Sequence, residues 1–139
     1  MSQDNVESFK RSIEANNRRD IDALVAEMHP EVEWHPAMAA FLGGQATLYR
    51  GRDGVREALQ DLYGSFAELH LEISEIRDLG DRLFAMGRMR GRGSGSGAEI
   101  ESPWAYLVHY RDGKATSVRA YLDPNAALEA LEREQTRSH

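Results

Sequence analysis

Leu69-His70-Leu71-Glu72-Ile73-Ser74 alternates apolar with polar side chains at every step, and here the chain changes its period. Side chains alternate across a strand and recur every three to four residues on a helix, so this run is a half-buried strand. Just upstream, Val55, Leu59, Leu62, Tyr63 and Phe66 keep helical spacing for three turns. Further back, Val6, Phe9 and Ile13 mark one amphipathic helix ending near Arg19. Ile21, Leu24, Val25 and Met28 mark a second, which Asp20 can cap and which stops at His29-Pro30.

Downstream of the switch the period of two persists. Gly80-Asp81 turns into a strand over 82–92, the Gly/Ser run at 93–97 makes a hairpin tip, and 98–110 runs back. Arg111-Asp112-Gly113-Lys114 is a hairpin turn of the Asp-Gly type, leading into 115–122. These four strands form an antiparallel meander. Asp123-Pro124 then opens a last helix, with Asp at the cap, Pro at the first helical position and an apolar side of Ala127, Leu128 and Leu131. Residues 31–35 alternate briefly before Pro36 and read as a short edge strand. The stretch that follows has no period but holds Met38, Phe41, Leu42, Leu48 and Tyr49, which suits a lid or pocket wall. The layout is α+β: a sheet long enough to curl wraps around helices grouped on its inner face. One domain spans residues 1–132, followed by a polar tail over 133–139.

Composition narrows the chemistry. The 139 residues include no cysteine, which excludes thiolate metal sites, disulfide scaffolds and a cysteine nucleophile. Seventeen Lys and Arg against twenty-three Asp and Glu give a formal charge of −6, so no cationic face for nucleic acid is expected. No apolar stretch has membrane-spanning length and the start lacks an apolar leader core, so the expected compartment is the cytoplasm, with no membrane partner. His29 and His35, with Glu31 and Glu33 between them, match no metal-ligand spacing, and no metal or cofactor is expected.

Four strings in this order, Met28-His29-Pro30-Glu31-Val32-Glu33-Trp34-His35-Pro36, Tyr49-Arg50-Gly51-Arg52-Asp53-Gly54-Val55, Tyr110-Arg111-Asp112-Gly113-Lys114 and Tyr121-Leu122-Asp123, resemble the SnoaL-like branch of the nuclear transport factor 2-like superfamily. The resemblance covers nearly the whole chain. It implies a cone-shaped, cystatin-like α+β barrel of curved antiparallel sheet around the N-terminal helices, an apolar pocket, and a homodimer through the outer sheet face. It also implies kinship with polyketide cyclases and ketosteroid isomerases, and with binding proteins of the same fold that do no chemistry. Fold alone does not choose among these.

His35 is the first candidate for chemistry, because imidazole suits proton transfer near neutrality. By the resemblance, His35-Pro36 stands where ketosteroid isomerases have Asp-Pro with the general base. Ser102, Trp104, Tyr106, Val108 and Tyr110 share one strand face, the expected pocket wall. The resemblance places Tyr106 at the oxyanion-hole aspartate of those isomerases, where a phenol can donate to an enolate oxygen. Ser12 or Arg11 stands where they carry a first-helix tyrosine. By the resemblance Asp123 matches an acid/base aspartate of the cyclases, while the residues themselves, Asp followed by Pro124, favour a helix cap. Arg88 is either a cavity cation or a solvated strand arginine. Met38, Phe41, Tyr49, Tyr63, Phe66 and Trp104 are candidate pocket residues for a small apolar organic ligand, or ordinary core. Ala105, Leu107, His109 and Tyr121 fall on the outer face and are the expected dimer surface.

Overall fold

The computed structural model describes residues 2–36 and 48–137. Its elements run α1 (Ser2–Asn17), α2 (Ile21–Ala26), β1 (Met28–His35), β2 (Tyr49–Arg50), α3 (Gly51–Ser65), β3 (Phe66–Asp78), β4 (Arg82–Gly93), β5 (Glu99–Arg111), β6 (Lys114–Tyr121) and α4 (Pro124–Arg137). The expected lid, with Met38 and Phe41, lies outside the described residues.

Local signals place most boundaries. The Asp20 carboxylate accepts the Ala23 N–H at 3.1 Å and starts α2. Asp112 and Gly113 take φ of 54° and 77°, the left-handed pair that a tight hairpin between right-twisted strands requires. Asp123 Oδ1 accepts the Asn125 N–H at 3.0 Å, and its carbonyl takes the Ala126 N–H at 3.0 Å, which starts α4. That helix runs on to Arg137 and takes in most of the expected polar tail.

The strands form one sheet in the order β2-β1-β6-β5-β4-β3. The antiparallel meander of β3 to β6 is present, but two features of the expected barrel are not. The strand β1 is interior rather than an edge, and it runs parallel to β6, with Trp34 beside Val118 and His35 beside Arg119. The sheet is therefore mixed. It is also open: β2 pairs only with β1 and β3 only with β4, so the two edges never meet and no curled, cone-shaped barrel closes. A period of two marks a strand but carries no information on its partner's direction, and a parallel pair needs the long crossover that the intervening elements supply.

The β3 edge is managed by side chains. Asn17 Nδ2 donates to the Leu71 carbonyl at 3.0 Å while the Leu71 N–H donates to Asn17 Oδ1 at 2.8 Å, so one amide imitates a neighbouring strand. Arg19 donates to the Tyr63 and Phe66 carbonyls at 3.1 and 2.6 Å and ties the end of α3 to the same edge.

Two apolar clusters result. The larger lies between the helices and the inner sheet face and includes Phe9, Val32, Trp34, Leu59, Leu83, Trp104 and Val118. The smaller lies on the other face, where Ala127 and Leu131 of α4 cover Phe84, Ala105 and Leu107. Ala105 and Leu107, expected to meet a partner subunit, are thus fully buried by a helix of their own chain. Burying a leucine of this kind contributes about 1.5–3 kcal/mol, which is what docks α4. No helix among the described residues is long and apolar enough to cross a membrane.

Candidate functional site

Between α3 and the inner sheet face lies a cavity of about 120 Å³, and a second of about 40 Å³ lies deeper toward α1. Asn16, Trp34, Leu62, Leu71 and Tyr106 line both, so they stand at the junction of the two cavities. Alternation along β5 brings Trp104 and Tyr106 to this face together, and alternation along β1 brings Trp34. The third helix supplies Ala58, Leu59 and Leu62 from its apolar stripe.

Close approach of backbones makes room for the indole. Gly87 stands opposite Trp104, and a Cβ there would lie 2.7 Å from Trp104 Cζ2 and 1.8 Å from the Glu72 carbonyl oxygen. Only glycine fits. The register shift between Ile73 and Glu75 bends β3 at the same place. Trp104 then stacks in an aromatic cluster, with its ring 5.3 Å from that of Tyr106 and 6.5 Å from that of Phe9. Its Nε1 is buried with no hydrogen-bond partner among the described residues.

Polar groups are few and differently engaged. The Tyr63 hydroxyl donates to Asn16 Oδ1 at 2.8 Å, behind the cavity wall. Burial pushes the Tyr63 phenol up to about 12, and burial does the same to Tyr106, so both stay neutral donors at any physiological pH. The Tyr106 hydroxyl makes no hydrogen bond among the described residues, although its ring lines both cavities. At the solvent side, exposed Asp61 lines the larger cavity and accepts from the Tyr49 hydroxyl at 3.3 Å. Burial first, then the nearby Asp61 charge, raises the Tyr49 phenol.

The expected site residues divide. Tyr49, Phe66, Trp104 and Tyr106 line the larger cavity. Tyr63 stands behind it and holds Asn16. His35 does not face it: Trp34 points inward, so His35 lies on the outer face beside Arg119 and Glu33. Its Nε2 is buried without a hydrogen bond among the described residues, 3.8 Å from Glu33 Oε1, and burial, aided by the Arg119 charge, lowers its pKa. Asp123 is exposed and engaged as the cap of α4, and Arg88 is exposed on its strand; neither lines the cavity. His35 and Tyr106 are therefore on opposite faces of the sheet. His109 bonds Glu134 of α4 at 2.8 Å, and Tyr121, though outward on β6, reaches the cavity from the strand end.

Sequence reasoning missed Asn16 and Asp61. Asn16 continues the stripe Phe9, Ile13 at helical spacing, and a polar side chain on an apolar stripe was the available signal. A polar network joining α1 to the end of α2 was missed too. Ser8 donates to Glu27 Oε1 at 2.7 Å, and Arg11 reaches both carboxylate oxygens at 3.0 Å. Among the described residues no cluster of His, Asp and Glu has the arrangement of a metal site.

The chain matches the SnoaL-like domain over residues 9–118. It is similar to TerC, solved in co-crystals with polyporic acid, at 27% identity over 93% of this chain and 98% of that one, with a TM-score of 0.77. It is similar to an NTF2-like protein of unknown function from Burkholderia pseudomallei K96243, at 21% identity over 91% and 95% of the chains, TM-score 0.79. An NTF2-like protein from Burkholderia xenovorans LB400 shares 25% identity over 92% and 95% of the chains, TM-score 0.68. No curated protein matches the sequence. With a family match over most of its length and an inner-face cavity between helices and sheet, this chain belongs to the SnoaL-like domain family.

Proposed function

We propose that the protein binds a small, largely apolar molecule bearing a carbonyl oxygen, with the Tyr106 hydroxyl donating to that oxygen. The carrying observation is that this hydroxyl has no partner among the described residues while its ring lines both cavities. A donor with no protein partner on a cavity wall is free to bond a ligand that supplies the acceptor. A relative co-crystallised with polyporic acid supports a ring-bearing ligand of this class.

Binding is favoured over isomerase or cyclase chemistry by one observation. Proton abstraction beside a carbonyl needs a base at the carbon next to it. The expected base, His35, lies across the sheet from Tyr106, and Asp61, the one carboxylate on the wall among the described residues, stands at the solvent side. The working surface is the cavity rather than the face of Ala105, Leu107, His109 and Tyr121, because α4 already occupies the apolar part of that face. A homodimer on that face therefore plays no part in this reading.

Both tryptophans of the chain, Trp34 and Trp104, line the cavity, so intrinsic fluorescence reports occupancy. Titration with 1-tetralone is expected to quench it saturably, and Tyr106→Phe to weaken the affinity about tenfold, the loss of one hydrogen bond of ordinary strength. Absence of saturable quenching in the wild-type protein up to the solubility of the ketone contradicts the proposal.

A further inference from the structure

The two cavities are lined by no Lys, Arg or His among the described residues, and Asp61 is the one charged side chain on their walls. Their serine hydroxyls are already engaged: Ser65 Oγ donates to the Asp61 carbonyl at 3.0 Å and Ser12 Oγ to the Ser8 carbonyl at 2.9 Å. Asp61 is held from one side only, by the Tyr49 hydroxyl on Oδ2, which leaves Oδ1 without a hydrogen bond among the described residues. The space therefore has the Tyr106 hydroxyl on the wall shared by both cavities and the Asp61 carboxylate on the larger one, with a largely apolar lining. A fixed carboxylate beside an apolar cavity repels a ligand anion, and no wall cation offsets that repulsion.

Resting on the carbonyl-binding reading, we infer that Asp61 is a specificity-determining residue that accepts a hydrogen bond from a hydroxyl at the far end of a neutral ligand and excludes ligands carrying a carboxylate there. The ligand is thus polar at both ends, acceptor inside and donor outside. A hydrogen bond to a charged acceptor is stronger than a neutral pair, which sets the expected preference at about tenfold or more.

Three probes at pH 6.5 separate the terms: 1-tetralone, 6-hydroxy-1-tetralone and the 6-carboxylate of 1-tetralone, each titrated by tryptophan fluorescence. The hydroxyl compound is expected to bind about tenfold tighter than the parent, and the carboxylate at least about tenfold weaker. Asp61→Ala is expected to bring all three to within about threefold of one another. Asp61→Asn, which keeps an acceptor oxygen and loses the charge, is expected to remove the carboxylate penalty while retaining part of the hydroxyl preference. Its near-identical shape covers the case in which the alanine variant misfolds. If 1-tetralone binds with Tyr106 dependence and neither Asp61 variant changes the ratios, this inference is overturned and the carbonyl reading stands. If no probe binds the wild-type protein, both fall.

Discussion

The Tyr63 hydroxyl donates to Asn16 Oδ1 at 2.8 Å, from a ring that the Arg19 guanidinium covers at 5.2 Å. A residue behind the cavity wall thus sets the orientation of one at the junction of the two cavities. Tyr63→Phe leaves a buried amide oxygen without its partner, which costs about 1–3 kcal/mol. Urea unfolding is expected to show that loss, and titration with 1-tetralone to show weaker binding as Asn16 reorients. Unchanged stability and affinity together would mean that the contact positions nothing.

Gly87 is required by two backbones and an indole at once. A methyl group there meets the Glu72 carbonyl oxygen at 1.8 Å, and backbone cannot give way as a flexible side chain does. Gly87→Ala is expected to cost about 3 kcal/mol, the upper range for overpacking a filled interior, and to change the fluorescence of Trp104. Gly95→Ala, at a hairpin tip with open space around it, is the control and should cost far less.

Glu27 ties stability to acid. Burial alone would raise its carboxyl, but hydrogen bonds from Arg11 and Ser8 and the charges of Arg11 and Lys114 hold it below the usual carboxylate range. A carboxyl depressed in the folded state binds protons more weakly than in the unfolded chain, so its contribution is present above about pH 4.5 and is lost as pH falls through the folded value. Glu27 is only half-buried, so the contribution is about 1 kcal/mol after solvent screening. Unfolding midpoints for Glu27→Gln should fall below wild type at pH 7 and converge with it near pH 3.

His35 offers a second check, of the same sign but at higher pH. Its folded pKa is lowered by burial and by Arg119, so the folded state favours the neutral ring, and that stability is lost as pH falls below the ordinary histidine value of about 6.5. Its proton resonances are expected to titrate below that value. Because it lies on the outer sheet face, His35→Ala should leave 1-tetralone affinity within about twofold of wild type. A large loss of affinity would place the ring in the site after all.

Much of this architecture was legible in residue order. The alternation Trp104, Tyr106, Val108, Tyr110 identified the inner face of β5, and Asp123-Pro124 marked the start of α4. What escaped depends on partners far away in sequence. Nothing in Glu31-Val32-Glu33-Trp34-His35 tells which strand it joins or in which direction, and that pairing puts Trp34 in the cavity and His35 outside it. Ala105 and Leu107 were recognisably an apolar outer face, yet a partner subunit and a terminal helix cover such a face equally well. Asp61, between Leu59 and Leu62, looks like a solvated helix carboxylate until the cavity beside it is seen.

In the proposed complex the Tyr106 hydroxyl donates to a carbonyl oxygen bound in the cavity. Infrared difference spectroscopy of 1-tetralone labelled with carbon-13 at the carbonyl reads that bond directly. The carbonyl stretch is expected at lower frequency in the wild-type complex than in cyclohexane, returning most of the way in Tyr106→Phe. Equal frequencies in the two complexes would contradict it.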